Sequence, residues 1–151
     1  MTGAPPRQLA ERLRDTLARL ESDIDLWVAT SGTPDGVHLN PLSYLWDGTV
    51  VVIATLRASI TSRNLLADDR VRLSLGPTRD VVIIDGTAEP LDIADLGPDL
   101  GDAFAARTGF DPREYDEPHQ YFRIRPRRVQ AWREANETRG RVLMRDGRWL
   151  A

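Results

Sequence analysis

The sequence predicts a mainly β protein, a small barrel carrying peripheral helices. Three observations point there. Short β-branched runs such as Val50-Val51-Val52-Ile53-Ala54-Thr55 recur along the chain, and such residues pack well on a pleated surface. Turn formers, among them Asp47-Gly48, Gly76-Pro77 and Asp85-Gly86, separate those runs at hairpin spacing. Helical periodicity is confined to a few stretches near the edges of this pattern.

Residues 6–21 fit an amphipathic helix, with Leu9, Leu13, Leu17 and Leu20 at spacings of four, four and three. Asp25–Thr30 reads as a first strand and Thr33-Pro34-Asp35-Gly36 as a turn. Val37–Trp46 is a second strand in which Pro41 demands an edge or a bulge. Asp47-Gly48 turns the chain into a strand over Thr49–Thr55. After it, Ser59 or Thr61 is placed to cap a short helix containing Arg63-Asn64-Leu65-Leu66. Arg70–Leu75 alternates as a half-buried strand, and Val81–Ile84 forms another, with a break or bulge at Asp85-Gly86 before Thr87-Ala88-Glu89. Residues 92–107 read as helix interrupted near Gly97-Pro98, and residues 108–118 as a loop. Tyr121–Pro126 and Val129–Trp132 are expected as separate late strands, and Met144–Trp149 closes on a turn.

Composition bounds the chemistry. The chain has 151 residues, the size of one domain spanning 1–151: helix 6–21, barrel 25–132 and a basic segment 133–151. No Cys is present, which removes disulfides, thiolate nucleophiles and Cys-based zinc sites. All 20 basic residues are Arg, so no Lys Schiff base can form and a phosphate clamp must use Arg, hydroxyls or backbone N–H groups. The two His, His38 and His119, are too far apart in sequence to suggest a metal site or a triad, and no metal is expected. Net charge is −3, which argues against general nucleic-acid binding. From Arg123 to Arg148 nine Arg face three acids, a solvated basic face or a groove for an anionic tail. No membrane-length apolar run and no signal-peptide core occur, so a cytoplasmic protein with no membrane partner is expected.

The most informative local feature is Ser59-Ile60-Thr61-Ser62-Arg63-Asn64. A helix start leaves backbone N–H groups unpaired, and hydroxyls and an Arg beside them make a cradle for phosphate or carboxylate.

The ordered segments Pro41-Leu42-Ser43-Tyr44-Leu45-Trp46-Asp47-Gly48, Ala54-Thr55, Ser59–Leu65, Asp69-Arg70-Val71 and Asp85-Gly86-Thr87-Ala88-Glu89 resemble the pyridoxamine 5′-phosphate oxidase-like FMN-binding split barrels. Within that family they are most similar to the actinobacterial flavin and deazaflavin (F-420) oxidoreductases. The resemblance implies a homodimer of six-stranded antiparallel split barrels with cofactor sites at the subunit interface. It implies an FMN or F-420 ring along Pro41, Leu42, Ser43 and Tyr44, and a phosphate held by Thr55, Ser59, Thr61 and Arg63, with Asn64 opening the helix there. Hydride transfer to or from a small organic substrate is the implied activity; no catalytic residue is singled out. The alternative is a cofactor- or haem-binding split barrel without turnover. The chain departs from the family pattern at Thr61, where many relatives carry Lys, and at Ile60, often Arg in the flavin oxidases. Charge-assisted hydrogen bonds are roughly twice as strong as neutral ones, so the departure weakens FMN binding unless Arg57 and Arg63 compensate, or else marks a lost or changed cofactor.

Overall fold

The computed structural model describes residues 3–151. After helix α1 (Leu9–Ser22) come strands β1 (Asp25–Thr30), β2 (His38–Trp46) and β3 (Val51–Leu56). Helix α2 (Ile60–Ala67) leads to β4 (Arg70–Leu75) and β5 (Val81–Leu91). Helices α3 (Ile93–Leu96) and α4 (Pro98–Thr108) precede β6 (His119–Trp132), and a hairpin of β7 (Val142–Arg145) and β8 (Arg148–Trp149) ends the chain. The strands pair antiparallel in the order β3-β2-β1-β4-β5-β6, and β3 pairs with β6 to close a six-stranded barrel. The β7–β8 hairpin extends the sheet from β6. Among the described residues no helix is long and apolar enough to cross a membrane.

Alternation builds two cores. The inward residues Leu26, Val28, Tyr44, Ile53, Leu73, Ile84 and Ile124 fill the barrel, with Leu20 of α1 and Leu65 of α2 joining them. The opposite face of β3 and β6 (Val52, Ala54, Tyr121), with Val50 just ahead of β3, packs under Leu96 and Phe104 of α3 and α4.

Several expectations need correction. Helix α1 begins at Leu9, and its buried face is Arg12, Thr16 and Leu20 rather than the full Leu stripe; Leu9 is exposed. The Arg12 guanidinium can be buried because it donates to the carbonyls of Ala131, Glu137 and Gly140 at 3.2, 3.1 and 2.9 Å. The third strand starts at Val51 because Asp47 Oδ1 accepts from the N–H groups of Thr49 and Val50, both at 2.8 Å, which holds residues 47–50 as a turn.

The late strands are one 14-residue strand, β6, that runs through Pro126. Its register against β5 shifts between Asp85 and Gly86, leaving Arg127 unopposed, and proline is tolerated at such a bulge. Gly86 is required there: a Cβ would stand 2.6 Å from the carbonyl oxygen of Arg125.

Pro41 finds its edge within β2. Only Tyr44–Trp46 pair with β3, so the start of β2 is bonded to β1 alone. The Tyr44 N–H donates to Ile24 O on the β1 side at 2.9 Å. Alternation then turns the main-chain groups of Leu39, Pro41 and Ser43 toward the open side, where a missing N–H at Pro41 costs no ladder bond.

Candidate functional site

Ser59 has extended backbone angles and caps α2, its Oγ accepting from the Ser62 N–H at 3.1 Å. Its carbonyl takes the Arg63 N–H at 3.0 Å. Of the orphan donors in this first turn, those of Ile60 and Thr61 have no protein acceptor among the described residues. The Thr55 hydroxyl, at the end of β3, lies 3.3 Å from Ser59 Oγ. Thr61 and Ser62 are fully buried, and their hydroxyls have no partner among the described residues. Two open N–H groups beside a hydroxyl pair at a helix start fit an anion, whereas the Thr61 and Ser62 hydroxyls are shut off from solvent.

The two flanking cations are each answered by a carboxylate. Arg63 Nε and Nη2 donate to Asp35 Oδ2 at 3.2 and 2.9 Å, and its Nη1 donates to Ala58 O. Arg57 Nη2 donates to Asp92 Oδ1 at 3.1 Å, while Gln120 Oε1 accepts from its Nε and Nη2 at 3.3 and 3.1 Å. The Arg63 and Arg57 side chains are 48% and 53% exposed, and exposed ion pairs are worth about 0–1 kcal/mol. Both guanidinium groups can therefore reorient toward an arriving anion at small cost. The cluster of two Arg and two Asp nevertheless has no net charge.

Asn64 lies inside α2 rather than opening it. It is fully buried, donates from Nδ2 to Thr30 Oγ1 and Gly36 O at 3.1 Å each, and accepts from the Thr33 hydroxyl. It thereby pins the 31–36 turn, with Asp35, beside the helix. Gly32 lets the turn lie that close: a Cβ would stand 2.7 Å from Asp68 Cβ.

On β2 the side chains separate. Tyr44 points into the barrel, its hydroxyl donating to Leu20 O at 3.0 Å, and burial raises its pKa above the ordinary phenol value. Ser43 points out and donates to Asp25 Oδ1 at 2.7 Å. Pro41 is exposed and Leu42 packs partly against the barrel core. The outward row beside Pro41 also carries exposed Leu39 and, across the β1 pairing, exposed Trp27.

Residues 115–119 line a cavity of about 290 Å³ with Arg57, Asp92 and Ile93. His119 faces Glu117 O through Nδ1 at 2.7 Å, and its ring lies 5.4 Å from that of Tyr115. The Arg residues of β6 are dispersed. Arg123 and Arg125 share a small cleft with Asp69 and Glu89, Arg127 lines a groove with Arg70 and Arg72, and Arg128 lies near Arg139 and Arg141. Trp46 is buried, Trp149 packs on the barrel core, and Arg141 stacks 5.3 Å from the Trp132 ring. The sequence reading missed Asp35, Asp92 and Gln120 as partners of the two candidate cations.

The sequence pattern of the pyridoxamine 5′-phosphate oxidase family matches residues 14–133, the closed barrel and its flanks. This chain belongs to that family. No curated protein matches it in sequence. Solved structures similar to it include an F-420 reductase (20% identity, TM-score 0.60), covering 74% of this chain and 93% of that one. A FAD-binding protein from Mesorhizobium loti aligns at 19% identity and TM-score 0.61, covering 78% and 89% of the two chains. A heme binding protein from Mycobacterium smegmatis aligns at 21% identity and TM-score 0.64, covering 95% of this chain and 60% of that one. At these identities the likeness establishes the split-barrel fold of the family and leaves the ligand to the residues of this chain.

Proposed function

We propose that this pyridoxamine 5′-phosphate oxidase family member is an oxidoreductase that binds FMN or F-420 and exchanges hydride between that cofactor and a small organic substrate. The observation that carries the proposal is the first turn of α2, where the N–H groups of Ile60 and Thr61 stand open beside the Thr55–Ser59 hydroxyl pair. Those groups, the Thr61 main-chain N–H among them, would hold the cofactor phosphate. Arg57 and Arg63 would close on the phosphate from either side, exchanging weak exposed ion pairs for charge-assisted bonds.

The cofactor ring would lie along the open side of Pro41–Ser43, where main-chain groups and the flat Pro41 surface orient it. When bound, the ring supplies the hydride chemistry; the protein contributes position and exclusion of water. Two copies of the chain would meet through the outward Trp27, Leu39 and Pro41 face, bringing the partner subunit over the ring. A substrate of modest size would enter between the subunits.

Titration of the purified protein with FMN and, separately, with F-420, followed by fluorescence quenching, tests the site. Saturable binding that weakens at least tenfold in Arg63→Ala supports it. Binding of neither cofactor, or affinity unchanged by Arg63→Ala, overturns it. Reoxidation of the reduced, bound cofactor on adding substrate then separates an enzyme from a carrier.

A further inference from the structure

We propose that a groove at the far end of β6, lined by Arg128, Arg139, Arg141 and Arg145, is a docking site for an acidic, leucine-bearing peptide segment of a partner protein. The groove stands apart from the α2 site. Arg128 is eight residues along β6 from Gln120, the residue that holds Arg57, up to about 26 Å at the rise of a strand. The cavity measures about 770 Å³, a size that takes a few peptide residues rather than a single ion. Among the described residues, no carboxylate lines it.

The charges of this groove have no counter-charge of their own. Arg141 is the one of the four with a side-chain partner among the described residues: Nε donates to Gln130 Oε1 at 3.0 Å, and the guanidinium stacks 5.3 Å from the Trp132 ring. The acids of the same segment are engaged elsewhere. Glu134 takes Arg79 and Glu137 takes Arg7, each at 2.9 Å, while Asp146 turns the β7–β8 hairpin with φ 51°. Backbone pairing then forces cations together. Arg145 directly opposes Arg148 across the hairpin, and Val129 opposes Met144, so Arg128 and Arg145 follow that pair on adjoining strands. Like charges directly opposite one another destabilise a sheet. Three Arg are therefore gathered at one sheet margin against their own repulsion, which an arriving polyanion relieves.

The lining selects the class of partner. Guanidinium groups fork onto carboxylates with two parallel hydrogen bonds. Leu9 and Leu150 line the same cavity at 37% and 44% exposure and offer apolar contact between the charges. A run of glutamates interrupted by leucines matches both features. A nucleic acid matches less well. No aromatic ring lines the groove to stack a base, Trp132 nearby is already covered by Arg141, and the net charge of −3 repels a long phosphate backbone. An anionic bilayer is flat and would meet only the rim of a concave site.

The probe is a fluorescein-labelled peptide in which leucines separate pairs of glutamates, titrated with the full chain and followed by fluorescence polarisation. A peptide with glutamine for glutamate, a labelled oligothymidylate and vesicles containing phosphatidylserine are the comparisons. Saturable binding is expected, at least about tenfold weaker for the glutamine peptide and for Arg145→Glu, and unchanged in Arg123→Glu. Excess FMN or F-420 should leave the peptide bound. Arg145→Glu also sets opposite charges across the hairpin, so its melting temperature should rise by about 1–4 °C, which separates a lost site from a lost fold.

Absence of saturable peptide binding, or equal binding by wild type and Arg145→Glu, overturns the proposal. A lower melting temperature in Arg145→Glu removes the repulsion on which it stands. Tighter binding of the oligothymidylate or the vesicles, abolished by Arg145→Glu, overturns it in favour of that partner. Displacement of the peptide by either cofactor overturns it by giving the groove to the cofactor.

Discussion

Arg7 and Glu137 form a two-pronged pair across nearly the whole chain: Arg7 Nε donates to Glu137 Oε2 and Nη2 to Oε1, each at 2.9 Å. Both side chains are almost fully buried, at 7% and 3% exposure. The main-chain N–H groups of Arg7 and Arg133 also donate to the carboxylate, both at 2.8 Å. One carboxylate therefore fastens the segment before α1 to the turn after β6, directly above buried Arg12. A buried charge pair of this kind contributes little over an apolar substitute, but removing one partner strands the other.

Replacing the Glu137 carboxylate is accordingly expected to be costly. Glu137→Gln should lower stability by about 3 kcal/mol, since Arg12 then lies buried without a counter-charge and Arg7 keeps only Asp15, at 3.1 Å. Urea unfolding of the variant against wild type measures it. A loss below about 1 kcal/mol would show that the pair is more hydrated than its burial indicates.

Acid should weaken the same latch. The hydrogen bond from the Arg7 side chain, against opposing desolvation, holds the Glu137 carboxyl at about 2, below its ordinary 4.5. The unfolded chain therefore takes up the proton first as pH falls. The contribution is complete above about pH 4.5 and disappears as pH drops toward 2, amounting to up to about 3 kcal/mol. Thermal melts between pH 6 and pH 2.5 should show a steeper decline in wild type than in Glu137→Gln.

Ser59 caps α2 and, in the proposed function, also contacts the cofactor phosphate, and two substitutions separate those roles. Ser59→Ala removes the cap and should cost about 1 kcal/mol, whereas Ser59→Gly should cost only a few tenths. Both lose the hydroxyl beside Thr55, so both should weaken cofactor binding to a similar degree. Cofactor affinity that instead follows stability would assign Ser59 to the helix alone.

The outward face of β1 and β2 offers a test of assembly. Leu39 is 59% exposed beside exposed Trp27, and a charge placed there would be buried unpaired if two copies meet on this face. Leu39→Asp is expected to yield a folded monomer by sedimentation, with cofactor binding reduced along with the dimer. A dimer unchanged in this variant would move the interface elsewhere.

What could be read in the sequence was local. A cap at Ser59 or Thr61, which the structure gives to Ser59, the Asp47-Gly48 turn and the irregularity at Asp85-Gly86 each depend on neighbours a few positions away. Pro41 announced an edge because its missing N–H is a property of the residue itself. The illegible parts depend on distant partners. Asp35 meets Arg63 from 28 positions away, Asp92 meets Arg57 from 35, and Gln120 meets Arg57 from 63. No spacing rule connects such pairs; the barrel must close before they are neighbours. The same holds for Arg12, a surface residue by type whose burial is licensed by carbonyls more than 100 positions downstream. Pro126 misled for the opposite reason: it normally ends a strand, and only the register shift against Gly86 lets β6 continue through it.

The open margin of β2 also bears on how this chain could have changed over time. Peptide groups look the same whatever side chain they carry, so a slot bordered by backbone survives mutation at the positions that form it. Residues 39–43 can drift in size and polarity while the border keeps its pattern of donors and acceptors, short of another proline. Lineages sharing such a slot can thus diverge until pairwise similarity nearly vanishes, and swap one flat ligand for another along the way. The residues that record which ligand was kept would be the few charged ones at the slot's end, a far smaller target for selection than the barrel itself.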